Sequence, residues 1–327
     1  MRMTCRGLEP ADSHAHGGYF RHEALLYAGE PEFVAATTDF IREGLTAGEP
    51  VLAVVEARKI ELLRSALGAD ADHVEFADMA VVGHNPGRIL DAWYGFAAGH
   101  AAAGRGARGI GEPVYASRSA AELIECQLHE ALLNLAFPAP PPWTLLCPYD
   151  TSTLEVEVLA EARRSHPFVR QGTETAASAD YRHNGADPWH LRAPLPDPPA
   201  AGTEELAIDH ASLARARHLV AARAVEAGAS MARAGELSLA ISELATNSLR
   251  HGGGRGRLRL WHDADAGMLV YEVADGGHIT DPLVGRRRPT GNQLDGRGLW
   301  LVNQLCDLVQ LRTSPGGTVV RVHMRVT

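Results

Sequence analysis

Glu243, Asn247 and His251 follow one another at steps of four in the stretch ELATNSLRHGGG. On a helix that step stacks side chains along one face, so a carboxylate, an amide and an imidazole form one polar ridge. Leu237, Ile241, Leu244 and Ser248 fall on a different face of the same helix. Three further features follow the ridge in order. Asp275-Gly276-Gly277 closes the apolar strand LVYEVA, Gly296-Arg297-Gly298-Leu299 opens a helix, and Gly316-Gly317-Thr318 leads into the last strand. Glycines ahead of a helix let backbone N–H groups approach an anion at its positive end. Taken singly, each feature has a plain structural reading: a solvated ridge, a turn after a strand, a loop, and a hairpin turn.

The elements that must position these residues can be read from the hydrophobic pattern. From Thr203 the chain reads as two helices, two strands around a DADAG turn, a polar Arg-rich segment, a short helix, and a hairpin turning at Pro-Gly-Gly. That order predicts an α+β sandwich with helices on one side of an antiparallel sheet. The first half differs. HEALLYAG, VLAVVEA and WTLLCPYD read as buried strands, alternating with the helical segments PEFVAATTDFIREGLTAG, ARKIELLRSALG, ILDAWYGFAAGHAAAG and SAAELIECQLHEALLNLAF. Such alternation predicts an α/β domain with a mostly parallel sheet. A Pro/Ala/Asp-rich stretch between them has linker composition. The expected organisation is a flexible tail over residues 1–16, a first domain over 17–172, a linker over 173–202 and a second domain over 203–327.

Composition narrows the function. The chain has 327 residues and a formal net charge of -9, which argues against a nucleic-acid binder. Lys59 is the only lysine, so recognition of phosphate rests on arginine, backbone N–H groups or a metal. Cys5, Cys126, Cys147 and Cys306 form no C-x-x-C pair and read as reduced, mostly buried thiols. Cys126, His129 and Cys147 fit no zinc spacing and read as core. The N-terminus lacks an apolar signal region, and the long uncharged run from Ala131 to Tyr149 holds five prolines. A cytoplasmic protein, bound to neither membrane nor nucleic acid, is expected.

In order, spacing and secondary structure, the four features of the second domain resemble the GHKL ATPases, the family of histidine kinases, gyrase-like ATPases and anti-sigma-factor serine kinases. ELATNSLRH matches the N-box, DGG the G1 box, GRGL the G2 box and GGT the last glycine box, and DPLVGRRRPTGNQLD stands where that family has its ATP lid. The resemblance implies ATP and Mg²⁺ as cofactors. Asn247 would hold Mg²⁺, Glu243 would be the general base, and Asp275 would accept the adenine amino group. Gly277 would leave room for the ring, Gly296, Gly298 and Leu299 would approach the phosphates, and Thr318 would add a hydrogen bond near the base. His251 would either line the phosphate pocket or cap the helix. Arg286, Arg287 and Arg288 read as solvated lid residues. Ile279 replaces the second glycine of the commoner D-x-G-x-G form, which bears on lid packing.

No two-helix phosphoacceptor module precedes the N-box helix, and His210 and His218 read as surface residues. The layout is therefore similar to the anti-sigma type. The resemblance implies a serine/threonine protein kinase acting on an anti-anti-sigma (STAS-type) partner, binding of a sigma factor, and a homodimer. The alternative is an ATP-dependent binding switch without phosphoryl transfer. The first domain resembles the DcmR-type sensory domain called MEDS, distantly similar to RecA-like folds but without a P-loop lysine. That implies an input domain for an unidentified signal. His22, Glu112, Tyr115, His129 and Asp150 lie near strand ends, where α/β ligands tend to sit, and otherwise serve core or loop hydrogen bonding.

Overall fold

The computed structural model describes residues 20–101, 106–137, 142–172, 174–182, 193–289 and 296–326. The proposed tail, Cys5, the middle of the linker, the Pro-rich turn at 138–141 and the end of the lid at 290–295 lie outside the described residues.

The first half contains β1 (Phe20–Tyr27), α1 (Gly29–Thr46), β2 (Val51–Val55), α2 (Ala57–Leu67), β3 (Val74–Asp78), α3 (Met79–Val82), α4 (Ile89–Ala101), β4 (Ala107–Gly111), α5 (Ala120–Ala136), β5 (Trp143–Asp150), α6 (Val156–Ser165), β6 (Phe168–Gln171) and β7 (Glu174–Ala177). Its sheet runs β3-β2-β4-β5-β1-β6-β7, parallel except for the β6–β7 pair. The unbroken apolar run of β2 has a direct cause. Val51, Ala53 and Val55 pack with Phe33 and Ile41 of α1 and Leu63 of α2, whereas Leu52 and Val54 pack with Leu90 of α4 and Leu132 of α5. Both faces are covered, so alternation of polar and apolar residues disappears. β4 falls in the glycine-rich GRGARGIG segment. Gly109 and Gly111 sit against Trp143 and Trp93, where an added Cβ would lie 2.7 Å from the rings.

The second half contains β8 (Glu204–Ile208), α7 (Leu213–Glu226), α8 (Met231–His251), β9 (Gly256–Asp263), β10 (Met268–Asp275), α9 (Arg297–Leu305), β11 (Leu308–Ser314) and β12 (Gly317–Arg325). These strands form an antiparallel sheet in the order β11-β12-β10-β9-β8. Leu237, Ile241 and Leu244 of α8 join Tyr271, Val273, Val320 and Val322 in one core beneath the helices. Burying each such side chain stabilises by about 1.5–3 kcal/mol, which outweighs the ~1 kcal/mol helix penalty of Gly235 within α8. Ser230 caps that helix, accepting from Arg233 N–H.

The fold class is the expected one in both halves. The sequence reading does not include β3, α3, β4, α6, β6, β7 or β8. β7 lies inside the stretch read as linker, paired to β6 at the sheet edge, and β8 precedes the first helix of the second half. Both are short edge strands whose pairing partner, not their own residue pattern, makes them strands.

Candidate functional site

Glu243, Asn247, His251, Asp275, Gly277, Gly296, Gly298, Leu299 and Thr318 all line one pocket of about 500 Å³ in the second half. Its floor is the C-terminal part of α8, with Glu243 and Asn247 half-buried and His251 exposed at the rim. α9 opposes it. Gly296 begins that helix in the left-handed region, at φ 81°, a conformation glycine adopts without cost. A Cβ on Gly298 would lie 2.7 Å from Glu243 Oε2 and 3.3 Å from Asn247 Nδ2. A side chain at Gly298 would therefore crowd both polar groups of the ridge.

Asp275, at the end of β10, is held from two sides. Ser248 Oγ donates to its Oδ2 at 2.6 Å, and Gly277 N–H donates to its Oδ1 at 2.8 Å. Both carboxylate oxygens thus accept a hydrogen bond. Thr318 Oγ1 donates to Gly277 O at 2.9 Å and lies 2.9 Å from Thr313 Oγ1, which accepts from Ile279 N–H. Ile279, in place of the usual glycine, packs on the helical core. Ser248 was missed as a site residue because it occupies an apolar-face position. A lone hydroxyl there, one residue after Asn247, was the available signal.

The lid segment does not behave as a solvated loop. Arg286 is only 6% exposed, against Glu125 of α5, whose two oxygens lie 3.6 Å from Arg286 Nη2 and 2.9 Å from Arg312 Nη2 of β11. Burial pulls the Arg286 pKa below its ordinary value, opposed by Glu125. Asp91 of α4 accepts from Arg288 N–H at 2.7 Å and from Trp300 Nε1 at 3.1 Å. Arg287 lies over Tyr94, and Asn85 donates to Asn303 O of α9 at 2.9 Å. The first domain thus grips both the lid and the helix that carries Gly298. Sequence reasoning read the arginines as solvated because nothing local marks Glu125 as their partner.

In the first domain, Glu112 is buried at the end of β4. Tyr27 Oη donates to it at 2.7 Å and Lys59 Nζ at 2.6 Å. Burial pushes the Glu112 pKa up to about 7, against the pull of Lys59. Asp150 accepts from Gly29 and Ser152 N–H groups as a loop brace. Tyr115 stacks beneath Arg118, and His129 is buried in α5. His22 contacts Asn134, Glu130 and Cys147.

Residues 21–167 match the MEDS family, the methanogen/methylotroph DcmR sensory domain, and residues 206–324 match the histidine kinase-like ATPase domain. The chain joins a MEDS domain to a histidine kinase-like ATPase domain. No curated protein matches the chain. Among solved structures it is similar to the RsbU and RsbW domains of a Mycobacterium tuberculosis protein, at 20% identity and a TM-score of 0.29. The match covers 41% of this chain and 33% of that one, so this chain spans about a third of its length. In both domains, no helix among the described residues is long and apolar enough to cross a membrane.

Proposed function

We propose that the ATPase domain binds ATP·Mg²⁺ and phosphorylates a Ser or Thr of an anti-anti-sigma (STAS-type) partner in the cytoplasm, under control of the MEDS domain, so that sigma-factor availability follows the signal. The boundary between input and output lies, on this reading, in the Pro/Ala-rich stretch of residues 173–202. The observation that supports the proposal is the convergence of Glu243, Asn247, Asp275, Gly296, Gly298 and Thr318 on one pocket. A side chain at Gly298 would crowd Glu243 and Asn247 across that pocket.

Bound ATP·Mg²⁺ supplies the phosphoryl group and neutralises charge on its oxygens. Asn247 would ligate the ion through its amide oxygen, since Mg²⁺ keeps waters and phosphate oxygens for its other positions. The N–H groups at the start of α9 would meet the phosphates at the positive end of the helix. Asp275, fixed as an acceptor by Ser248 and Gly277, would take the adenine amino group. Glu243, one helical turn before Asn247, would accept the proton of the partner's hydroxyl. The hydroxyl oxygen attacks the γ-phosphorus, the new O–P bond forms as the bond to the β–γ bridging oxygen breaks, and ADP leaves.

The test is to incubate the full chain with γ-labelled ATP and candidate STAS-type partners. Label on a partner Ser or Thr, absent with Glu243→Ala, is the expected result. Tight ATP binding with no labelled partner would leave a binding switch in place of a kinase. Absence of ATP binding would overturn the reading altogether.

A further inference from the structure

His22, Glu130, Cys147 and His166 come from β1, α5, β5 and the turn after α6, and meet under the sheet face that α5 covers. None is more than 1% exposed. One ligand-type atom from each lies within 4.8 Å of every other. His22 Nε2 is 3.0 Å from Glu130 Oε2 and 3.3 Å from Cys147 Sγ, and His166 Nε2 is 3.3 Å from the same Glu130 oxygen. Metal bonds of about 2.0–2.3 Å in a tetrahedron place neighbouring ligand atoms about 3.3–3.8 Å apart. The three separations from His22 to Glu130, His22 to Cys147 and His166 to Glu130 stand at or just under the lower end of that spacing, and none of the remaining ones exceeds 4.8 Å.

The outer hydrogen bonds decide what these atoms offer. Asn134 Nδ2 donates to Ser165 O at 2.8 Å, which turns its Oδ1 toward His22 Nδ1 at 3.1 Å. His166 Nδ1 lies 2.7 Å from Ala162 O. A carbonyl oxygen only accepts, so in both rings Nδ1 carries the hydrogen and the neutral Nε2 presents a lone pair. Both Nε2 atoms then face the Glu130 carboxylate, another acceptor, with only the Cys147 thiol hydrogen to share. His166 Nε2 and Glu130 Oε1 make no hydrogen bond. The plain alternative, one imidazolium paired with Glu130, leaves the second ring's Nε2 facing an acceptor. Buried acceptors without donors are costly, and a central cation would draw on both Nε2 atoms, the Glu130 carboxylate and the Cys147 sulfur at once. Fixing a ring by its far nitrogen is also how proteins orient metal-bound histidines.

We infer that His22, Glu130, Cys147 and His166 form a closed four-coordinate site for a single divalent transition-metal ion, with zinc the ion that best fits two imidazoles, a thiolate and a carboxylate. Binding releases the Cys147 thiol proton to solvent and involves no redox change. Cys147 is thereby reassigned from plain core packing, while Cys126, whose thiol donates to Pro113 O, stays outside the site. α5 carries Glu130 into this site and Glu125 to the lid, so a single helix joins the two. The inference stands independently of ATP chemistry.

The test begins with elemental analysis of the full chain purified without chelator, expected to show a single equivalent of zinc. Chelated protein is then titrated with Co²⁺ under reducing conditions. The expected result is a single equivalent of cobalt with the strong visible bands of four-coordinate geometry and a thiolate-to-cobalt charge-transfer band, all displaced by Zn²⁺. Cys147→Ser should abolish the charge-transfer band, and Cys126→Ser should keep it. Asn134→Ala leaves all four ligands in place, so it should weaken cobalt binding by about 10–100-fold. Should Cys147→Ser fail to fold by circular dichroism, the Asn134→Ala and Cys126→Ser pair decides. A chain that is metal-free as purified and takes up no cobalt overturns the inference. So does a thiolate band that survives in Cys147→Ser, or is lost in Cys126→Ser.

Discussion

Glu125 of the MEDS domain and Arg286 of the ATP lid face each other at 3.6 Å in a buried junction that Arg312 completes. Three charges are withdrawn from water there, two positive and one negative. Removing the carboxylate would leave two buried guanidinium groups without compensation, typically worth 3–5 kcal/mol. The segment flanking the pocket is therefore held by the MEDS domain and not by solvent.

Glu125→Gln keeps the shape and removes the charge. Amide hydrogen exchange over residues 283–288 should rise by at least ~10-fold, about 1.4 kcal/mol of lost protection, while exchange in the middle of α8 stays unchanged. Equal protection in the two proteins would show that the pair does not hold the lid.

Glu243 and Asn247 should separate chemistry from binding. Glu243→Ala should lower phosphoryl transfer by roughly 10²–10⁴-fold with ATP affinity retained, as measured by labelled transfer and calorimetry. Asn247→Ala should lose the Mg²⁺-dependent part of ATP binding. Full transfer by Glu243→Ala would remove it as the base.

Gly298→Ala is a steric test. The added methyl would lie 2.7 Å from Glu243 Oε2, a movable carboxylate end, and alanine favours helix over glycine by ~1 kcal/mol. Thermal stability should be unchanged or slightly raised, while ATP affinity falls by about 10-fold or more, a loss of at least ~1.4 kcal/mol. Unchanged affinity would place the phosphates elsewhere.

His323 on β12 should contribute acid lability. Burial, then the nearby Arg321, lowers its pKa from 6.5 to about 4. The unfolded chain therefore takes up this proton below pH 6.5 while the folded chain resists it. This part of the stability is intact above pH 6.5 and declines as pH falls toward 4. Urea unfolding at pH 7 and pH 5 should show the wild type losing about 2 kcal/mol more than His323→Gln. Equal losses would mean that His323 is protonated freely in the fold.

Much of this pocket's lining was legible because its parts are local. The Glu243–Asn247–His251 ridge is set by helical period, and the glycine boxes are short backbone demands written in consecutive residues. The nine residues singled out from sequence line one pocket. Ser248 escaped notice because its bond to Asp275 joins a helix to a distant strand end.

Sequence by itself determined the two sheet classes, since unbroken apolar runs alternating with helices of period 3.6 imply a parallel sheet, and strands joined by tight turns an antiparallel one. It also determined the order of the glycine boxes and of the ridge they face. Only the tertiary structure decided that Arg286 is buried rather than solvated, that β7 and β8 are strands, and that His22, Glu130, Cys147 and His166 meet. The physical reason is the same in each case. These relationships lie between residues far apart in the chain, where strand pairing and buried charge compensation act through space and leave no periodic trace.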